Sequence, residues 1–119
     1  MLSAGQTPAV YLACGSTDLR KSIDGLAALV THSFALDLFT SSLFVFCNKG
    51  RDKLKILFWD HNGFWLYYRR LERGRFQWPA RCGEQATQAI DRRQLQWLLD
   101  GLALQQRKAH LPVAARDGV

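Results

Sequence analysis

The sequence predicts a small α+β domain in which an antiparallel β-meander of three to five strands lies between an N-terminal and a C-terminal helix. Strand-like segments follow one another between residues 42 and 79, and segments with helical spacing of apolar residues flank them. The length of 119 residues and the hydrophobic fraction of 48% suffice for one hydrophobic core. We therefore expect a flexible N-terminus at residues 1–8, a single domain at 9–102 and a loosely ordered tail at 103–119.

A short strand and a helix are predicted first. Residues 9–13 form the apolar run of a buried strand. Residues 15–18 then supply turn and capping side chains, and apolar residues recur at helical spacing from Leu19 to about Ser33. This pattern predicts a helix over about 18–33.

The meander follows. Residues 42–47 are almost continuously apolar, which is typical of a strand covered on both faces. Residues 53–59 and 64–71 predict two further strands joined at Asn62-Gly63, a strong hairpin signal. A last strand is expected at 75–78, before Pro79.

Alternation of side chains assigns the two faces of this meander. With two-residue turns at Asn62-Gly63 and Arg73-Gly74, one face is apolar, and we expect it to pack under the first helix. The other face mixes cations with aromatic rings. A three-residue turn at 72–74 would exchange the faces of the last strand. The apolar face holds Leu54, Ile56, Phe58, Trp65, Tyr67, Leu71, Phe76 and Trp78, and the mixed face holds Lys53, Lys55, Leu57, Trp59, Phe64, Leu66, Tyr68, Arg70, Arg75 and Gln77.

The C-terminal helix carries clear start signals. Asp91 and Gln94 have the spacing of a capping box, and Ile90 with Leu95 has that of a hydrophobic staple. The leucines that follow form one apolar stripe toward Gly101. A helix is predicted over 91–102.

Positive charge is concentrated in the meander. The chain has a net charge of +6, and the stretch 49–81 holds nine cations and three anions, so the difference, 9 − 3 = 6, accounts for the whole excess. Charge gathered in one unit produces a local positive field, which attracts polyanions. The clustered charge therefore points to a polyanionic partner, and DNA is one such partner.

The mixed face and its adjoining turn are the candidate nucleic-acid site. Cations bind phosphates, and aromatic rings stack on unpaired bases. An alternative stays open: a solvated sheet face whose lysines discourage edge pairing and whose rings are buried under the C-terminal helix. The candidate residues are Lys53, Lys55, Arg70, Arg73 and Arg75 for phosphates and Trp59 and Tyr68 for bases.

The sequence gives little support for a catalytic site or a metal site. The aspartates fall mostly at helix starts and turns, where capping is their usual role, and no phosphate-binding loop or nucleophile elbow occurs. Three cysteines without a C-x-x-C pair and three dispersed histidines argue against a disulfide framework and a zinc site. We expect no catalytic activity, no cofactor and no metal, and a reducing cytoplasmic setting without a signal peptide or membrane span.

Five stretches carry a family resemblance. They are residues 15–26 (Gly-Ser-Thr-Asp-Leu-Arg-Lys-Ser-Ile-Asp-Gly-Leu), 43–46 (Leu-Phe-Val-Phe), 52–60 (Asp-Lys-Leu-Lys-Ile-Leu-Phe-Trp-Asp), 68–79, which includes Arg-Leu-Glu-Arg-Gly-Arg-Phe-Gln-Trp-Pro at 70–79, and 94–101 (Gln-Leu-Gln-Trp-Leu-Leu-Asp-Gly). The chain resembles, from residue 10 to about 102, the accessory proteins called TnpB in the IS-sixty-six type of bacterial insertion sequence. The tail after Leu102 departs from the family.

The resemblance implies an accessory factor of transposition encoded beside a separate, larger transposase. It brings no catalytic residues. The RNA-guided nucleases of the same name are unrelated, since their long chain and carboxylate triad have no counterpart here. Two functions stay open: binding of DNA, the transposase or both through the basic hairpins, or a pure protein–protein adaptor that presents them to an acidic transposase surface.

Overall fold

A five-stranded mixed sheet with helices on both faces forms the centre of the molecule. The computed structural model describes residues 8–106. The strand order is β4-β3-β2-β1-β5. The elements are β1 (Val10–Ala13), α1 (Ile23–Ala28), β2 (Leu43–Cys47), β3 (Lys53–Asp60), β4 (Gly63–Arg70), β5 (Thr87–Ile90) and α2 (Arg92–Leu99), and a π-helical segment (Leu29–Ser33) extends α1.

The predicted α+β class is confirmed, and the meander exists as β2, β3 and β4. These strands pair antiparallel in chain order. β1 adds to β2 in parallel through the α1 crossover, and β5 adds antiparallel to β1, so the sheet is mixed rather than purely antiparallel. A parallel neighbour requires a long connection, which residues 14–42 provide.

Both faces of the sheet are buried, as β2 shows: all five of its residues are buried. One core contains Leu54, Ile56 and Phe58 together with Leu95 and Leu98 of α2. The expectation that this face packs under the first helix is therefore wrong. The first helix covers the other face, where Leu26 and Val30 pack with Phe44, Phe46 and Leu57. Trp65 lies on the α2 side of β4 but remains half exposed.

The β3–β4 hairpin keeps the predicted faces with a shifted turn. The loop residues are His61-Asn62 rather than Asn62-Gly63, because Asp60 pairs with Gly63. Moving the turn by one residue shifts the register by two, and a shift of two leaves every side chain on its original face. His61 takes the left-handed conformation, with φ 59°.

The first helix starts later than predicted, at Ile23 rather than near residue 18. The carboxylate of Asp18 is engaged by Arg20, whose backbone N–H and guanidinium both donate to it, and Lys21 closes a turn onto the Asp18 carbonyl. Local side chain to backbone bonding of this kind competes with helix formation. Residues 14–22 therefore form a loop between β1 and α1.

The second helix has the predicted cap. Asp91 accepts from the Gln94 N–H at 2.7 Å, and the Gln94 side chain accepts from the Asp91 N–H at 3.1 Å. The helix ends at Leu99, before the predicted residue 102, because Gly101 adopts φ 81° and the N–H of Leu102 donates to the carbonyl of Trp97. This is a Schellman motif, which favours glycine at that position.

The predicted strand at 75–78 is absent, and this prediction is wrong. Residues 71–79 instead pass back across the face covered by α2. The Phe76 N–H donates to the Arg51 carbonyl at 2.7 Å, and the buried Trp78 indole donates to the Ala13 carbonyl at 2.9 Å. Burial of both rings in the core stabilises the fold more than strand pairing at the edge beside β4 would. The fifth strand is β5, whose short sequence Thr-Gln-Ala-Ile gave no strong strand signal.

Cys14 and Cys82 form a disulfide, which corrects the expectation of free cysteines. Their Cα atoms lie 6.0 Å apart, and the bond ties the end of β1 to the segment before β5 across 68 residues of sequence. Cys47 is free and buried in β2. Burial raises the pKa of the Cys47 thiol to about 12.

Alkylation in the absence of reductant tests this cysteine arrangement. Folded protein at pH 8 should take up no iodoacetamide, because the Cys47 thiol is buried and protonated. Unfolding without reductant should add one label, and unfolding with reductant should add three, counted by mass spectrometry. Three labels before reduction would contradict the disulfide.

The stability of the fold should also depend on pH through Cys47. An unfolded thiol has a pKa near 8.5, so the free energy of unfolding should decrease progressively as the pH rises from about 8.5 to 12.

Candidate nucleic-acid interface

Most of the excess positive charge lies at one end of the sheet, where β2 ends, β3 begins and β4 ends. The Asn48 side chain shapes the intervening turn: its amide donates to the Asp52 carboxylate at 2.8 Å, and its oxygen accepts from the N–H of Lys53 at 3.0 Å. The N–H of Leu71 donates to the Asp52 carbonyl at 2.8 Å and so returns the chain to the same place. We call this region the basic end. Its cations are Lys49, Arg51, Lys53, Arg69, Arg70, Arg73 and Arg75.

Five of these seven cations have no ion-pair partner in residues 8–106. Two pairs exist: Lys53 with Asp52 at 3.4 Å and Arg70 with Glu72 at 2.9 Å. Hydrogen bonding from Asn48 lowers the pKa of Asp52, and bonding to Glu72 raises the pKa of Arg70. Pairs this exposed contribute little stability, so their cations can exchange partners. The unpaired and exposed cations are Lys49, Arg51, Arg69, Arg73 and Arg75.

A groove of about 890 Å³ adjoins the basic end. Lys55, Leu66 and Tyr68 form its floor on β3 and β4. Lys55 is directly opposite Tyr68 in the register, so the two side chains share a face. Residues 16–20 form one wall, and the turn at 48–50 forms the other.

Lys55 supports the wall of this groove from below. Its ammonium donates to the carbonyls of Leu19 at 2.7 Å and Lys21 at 3.2 Å. An ammonium has three donors, and these bonds use two of them. The prediction of Lys55 as a phosphate contact stays a prediction, but the structure gives this side chain a second task, which is to hold the loop before α1.

Trp59 lies apart from the other predicted site residues. It is four residues beyond Lys55 on β3, about 13 Å along the strand. Its ring packs edge-on against Phe39 and Phe64, each at a centroid distance of 4.9 Å. Phe39 is 62% exposed and was not singled out from the sequence, because it lies outside every predicted element. The structure thus brings together Lys53, Lys55, Arg70 and Tyr68, with Arg73 and Arg75 on the adjoining segment, and leaves Trp59 at the opposite end of the hairpin.

Three aspartates of the described residues are each engaged by a neighbour close in sequence. Asp37 accepts from the Phe39 N–H, Asp60 accepts from the Trp65 indole, and Asp18 binds Arg20. Hydrogen bonds from Arg20 hold the pKa of Asp18 well below its usual range. No cluster of three or more histidine, cysteine, aspartate or glutamate side chains suited to a metal ion occurs between residues 8 and 106. Within the same residues, no helix has the length and apolar character needed to cross a bilayer.

The comparison with known protein families gives a match that covers most of the chain. The family described as "IS66 Orf2 like protein" matches residues 8–109. The chain belongs to this family. The family consists of accessory proteins of insertion sequences and is not known as a family of enzymes, so the chain is a transposition-associated accessory protein.

The chain is also similar to two curated proteins from Sinorhizobium fredii (strain NBRC 101917 / NGR234). The protein y4hO is 38% identical over 102 residues, which cover 86% of this chain and 87% of the relative. The protein y4jC is 34% identical over 70 residues, which cover 59% of this chain and 60% of the relative. Both are described as uncharacterized. No solved structure matches the chain.

Proposed function

We propose that this family member is a non-enzymatic accessory factor of transposition that binds DNA through its basic end and acts together with the transposase of the same element. The observation that supports DNA binding most strongly is the set of five exposed cations at one end of the sheet that have no ion-pair partner among residues 8–106. Cations gathered in this way bind phosphates of any sequence, because phosphate contacts position a protein without reading bases. We place this activity in the cytoplasm, where a bacterial transposon and its products meet.

The proposal of no catalytic activity rests on the tasks of the carboxylates. Nucleases commonly use two or three carboxylates around divalent cations. Here Asp18, Asp52 and Asp60 are each engaged by a different neighbour. Because each carboxylate has a separate partner, the arrangement supports a binding role rather than metal-assisted hydrolysis.

A second candidate function is a protein–protein adaptor without DNA contact. The aromatic cluster of Phe39, Trp59 and Phe64 favours it, since aromatic side chains are enriched at protein interfaces. The basic end would then meet an acidic surface of the transposase. The two functions differ in what binds the basic end.

Fluorescence anisotropy can distinguish these two functions. In this experiment a labelled duplex of arbitrary sequence is titrated with the full chain. We expect a high affinity at 50 mM salt. At physiological salt the affinity should decrease to that of non-specific DNA binding, with a Kd of roughly 10⁻⁶ to 10⁻⁴ M. The DNA should remain intact when Mg²⁺ or Mn²⁺ is added. Absence of duplex binding at 50 mM salt, with the transposase still co-purifying, would support the adaptor instead.

A further inference from the structure

The groove beside the basic end differs from the rest of the cationic surface because it is recessed. Its volume of about 890 Å³ is within the range of small-ligand sites, which are typically 300–1,000 Å³. A stacked duplex presents its phosphates on the outside and its bases inside, so it cannot place a base on the floor of such a groove. An unpaired strand can, because its bases are free to turn outward.

We propose that this groove binds an unpaired DNA strand, with one base stacked on Tyr68 and the adjacent phosphates on Lys49 and Lys53. This inference rests on the proposed function, because it assumes that DNA is the ligand of the basic end. It adds the form of DNA that the protein prefers and the residue that distinguishes this form from a duplex.

Tyr68 offers an accessible ring. The side chain is 55% exposed, although it lies on the floor of the groove. The Lys55 ammonium lies 5.8 Å from the ring centroid, at the outer limit of a cation–π contact. Trp59 cannot replace Tyr68 as the stacking ring, because the Trp59 ring is packed edge-on against two other rings at the far end of the hairpin.

Lysines beside this ring supply the charge that a phosphate needs. Lys49 is exposed on one wall, and Lys53, which also lines the groove, has only a long, partly exposed ion pair to Asp52. Asp18 and Arg20 also line the groove, but they neutralise each other in a pair with a 2.8 Å contact. The remaining charge of the lining is that of Lys49, Lys53 and Lys55, and it is positive.

The walls of the groove are held in place before any ligand binds. The Thr17 N–H donates to the Cys47 carbonyl at 2.8 Å, and the Gly15 N–H donates to the Pro79 carbonyl at 2.9 Å. Gly15 has φ 75°, a conformation that favours glycine, and a Cβ there would lie 3.3 Å from the Ala80 carbonyl oxygen. Together with the Lys55 bonds, these contacts reduce the ordering that binding would otherwise require.

The test compares an unstructured single-stranded DNA, a duplex of the same length and an RNA of the same sequence, each labelled and titrated with the full chain. Tyr68→Ala should weaken binding of single-stranded DNA roughly 5- to 150-fold, the effect of losing one base–aromatic stack. Duplex binding should change less than about twofold. Tyr68→Phe should keep near wild-type affinity, because it retains the ring.

Trp65→Ala is the matched control, since Trp65 is a similarly exposed ring on the opposite face of the same strand. It should bind single-stranded DNA like wild type. Equal weakening of single-stranded and duplex binding by Tyr68→Ala, or no weakening of either, would overturn the groove assignment. The proposed function would still stand in that case, provided that the wild-type protein binds duplex DNA. Tighter binding of RNA than of DNA would overturn DNA as the ligand. Failure of wild type to bind any DNA would instead refute the proposed function.

Discussion

Phe76→Ala should lower the free energy of unfolding by about 3–5 kcal/mol, the usual cost of removing a buried aromatic ring. Phe76 is 1% exposed and belongs to the core that α2 covers, although it lies outside every strand. Native domains typically have a total stability of only about 5–15 kcal/mol, so this loss is a large fraction of the total. The measurement is urea denaturation followed by tryptophan fluorescence and circular dichroism.

Gln77→Ala is the matched control for this prediction. Gln77 is the exposed residue between the buried Phe76 and Trp78, so its substitution should change the stability by less than about 0.5 kcal/mol. A loss below about 1 kcal/mol for Phe76→Ala would contradict the packing of residues 71–79 onto the sheet. If the alanine variant does not fold, Phe76→Leu still tests the claim, since it should fold with a smaller loss.

Features governed by local chemistry were predicted well. The faces of β3 and β4 follow from the period of two, and they survived a displaced turn because the register moved by two residues. The cap of α2 followed from Asp91 and Gln94, whose side chains bond only to neighbouring backbone. The continuous apolar run at 43–47 correctly indicated a strand with both faces covered.

Features that depend on distant partners could not be predicted in the same way. β5 is defined by its pairing with β1, and residues 75–78 fail to form a strand because the Trp78 indole reaches Ala13, 65 residues away. The disulfide joins cysteines whose spacing carries no recognisable pattern. The first helix covers the face opposite to the expected one, because the alternation of side chains defines two faces without saying which helix covers each.

The same distinction applies to the candidate site. Clustering of charge was readable from the sequence because all its cations fall within one stretch, 49–81. The separation of Trp59 from Tyr68 could not be predicted from the sequence, since both rings lie on the predicted mixed face. Only the structure shows that Phe39 and Phe64 occupy the surroundings of Trp59 and that a groove surrounds Tyr68.

The salt dependence of duplex binding tests whether the basic end binds DNA phosphates. Arg73 and Arg75 are the residues to neutralise, because both are exposed and neither has an ion-pair partner in the described part of the chain. Each phosphate contact contributes roughly −0.9 to the slope of log K against log salt concentration. Arg73→Gln with Arg75→Gln should therefore flatten the slope by about 2 and weaken binding roughly 60-fold at 0.1 M salt.

Arg92→Gln with Arg93→Gln removes the same charge elsewhere and is the matched control. These residues lie on α2 and line a cavity with Leu43 and Phe58, at the end of the sheet opposite the basic end. The slope should flatten by about 2 in the basic-end variant and stay near the wild-type value in the control. An unchanged slope in the basic-end variant, or equal flattening in both variants, would contradict phosphate binding by the basic end.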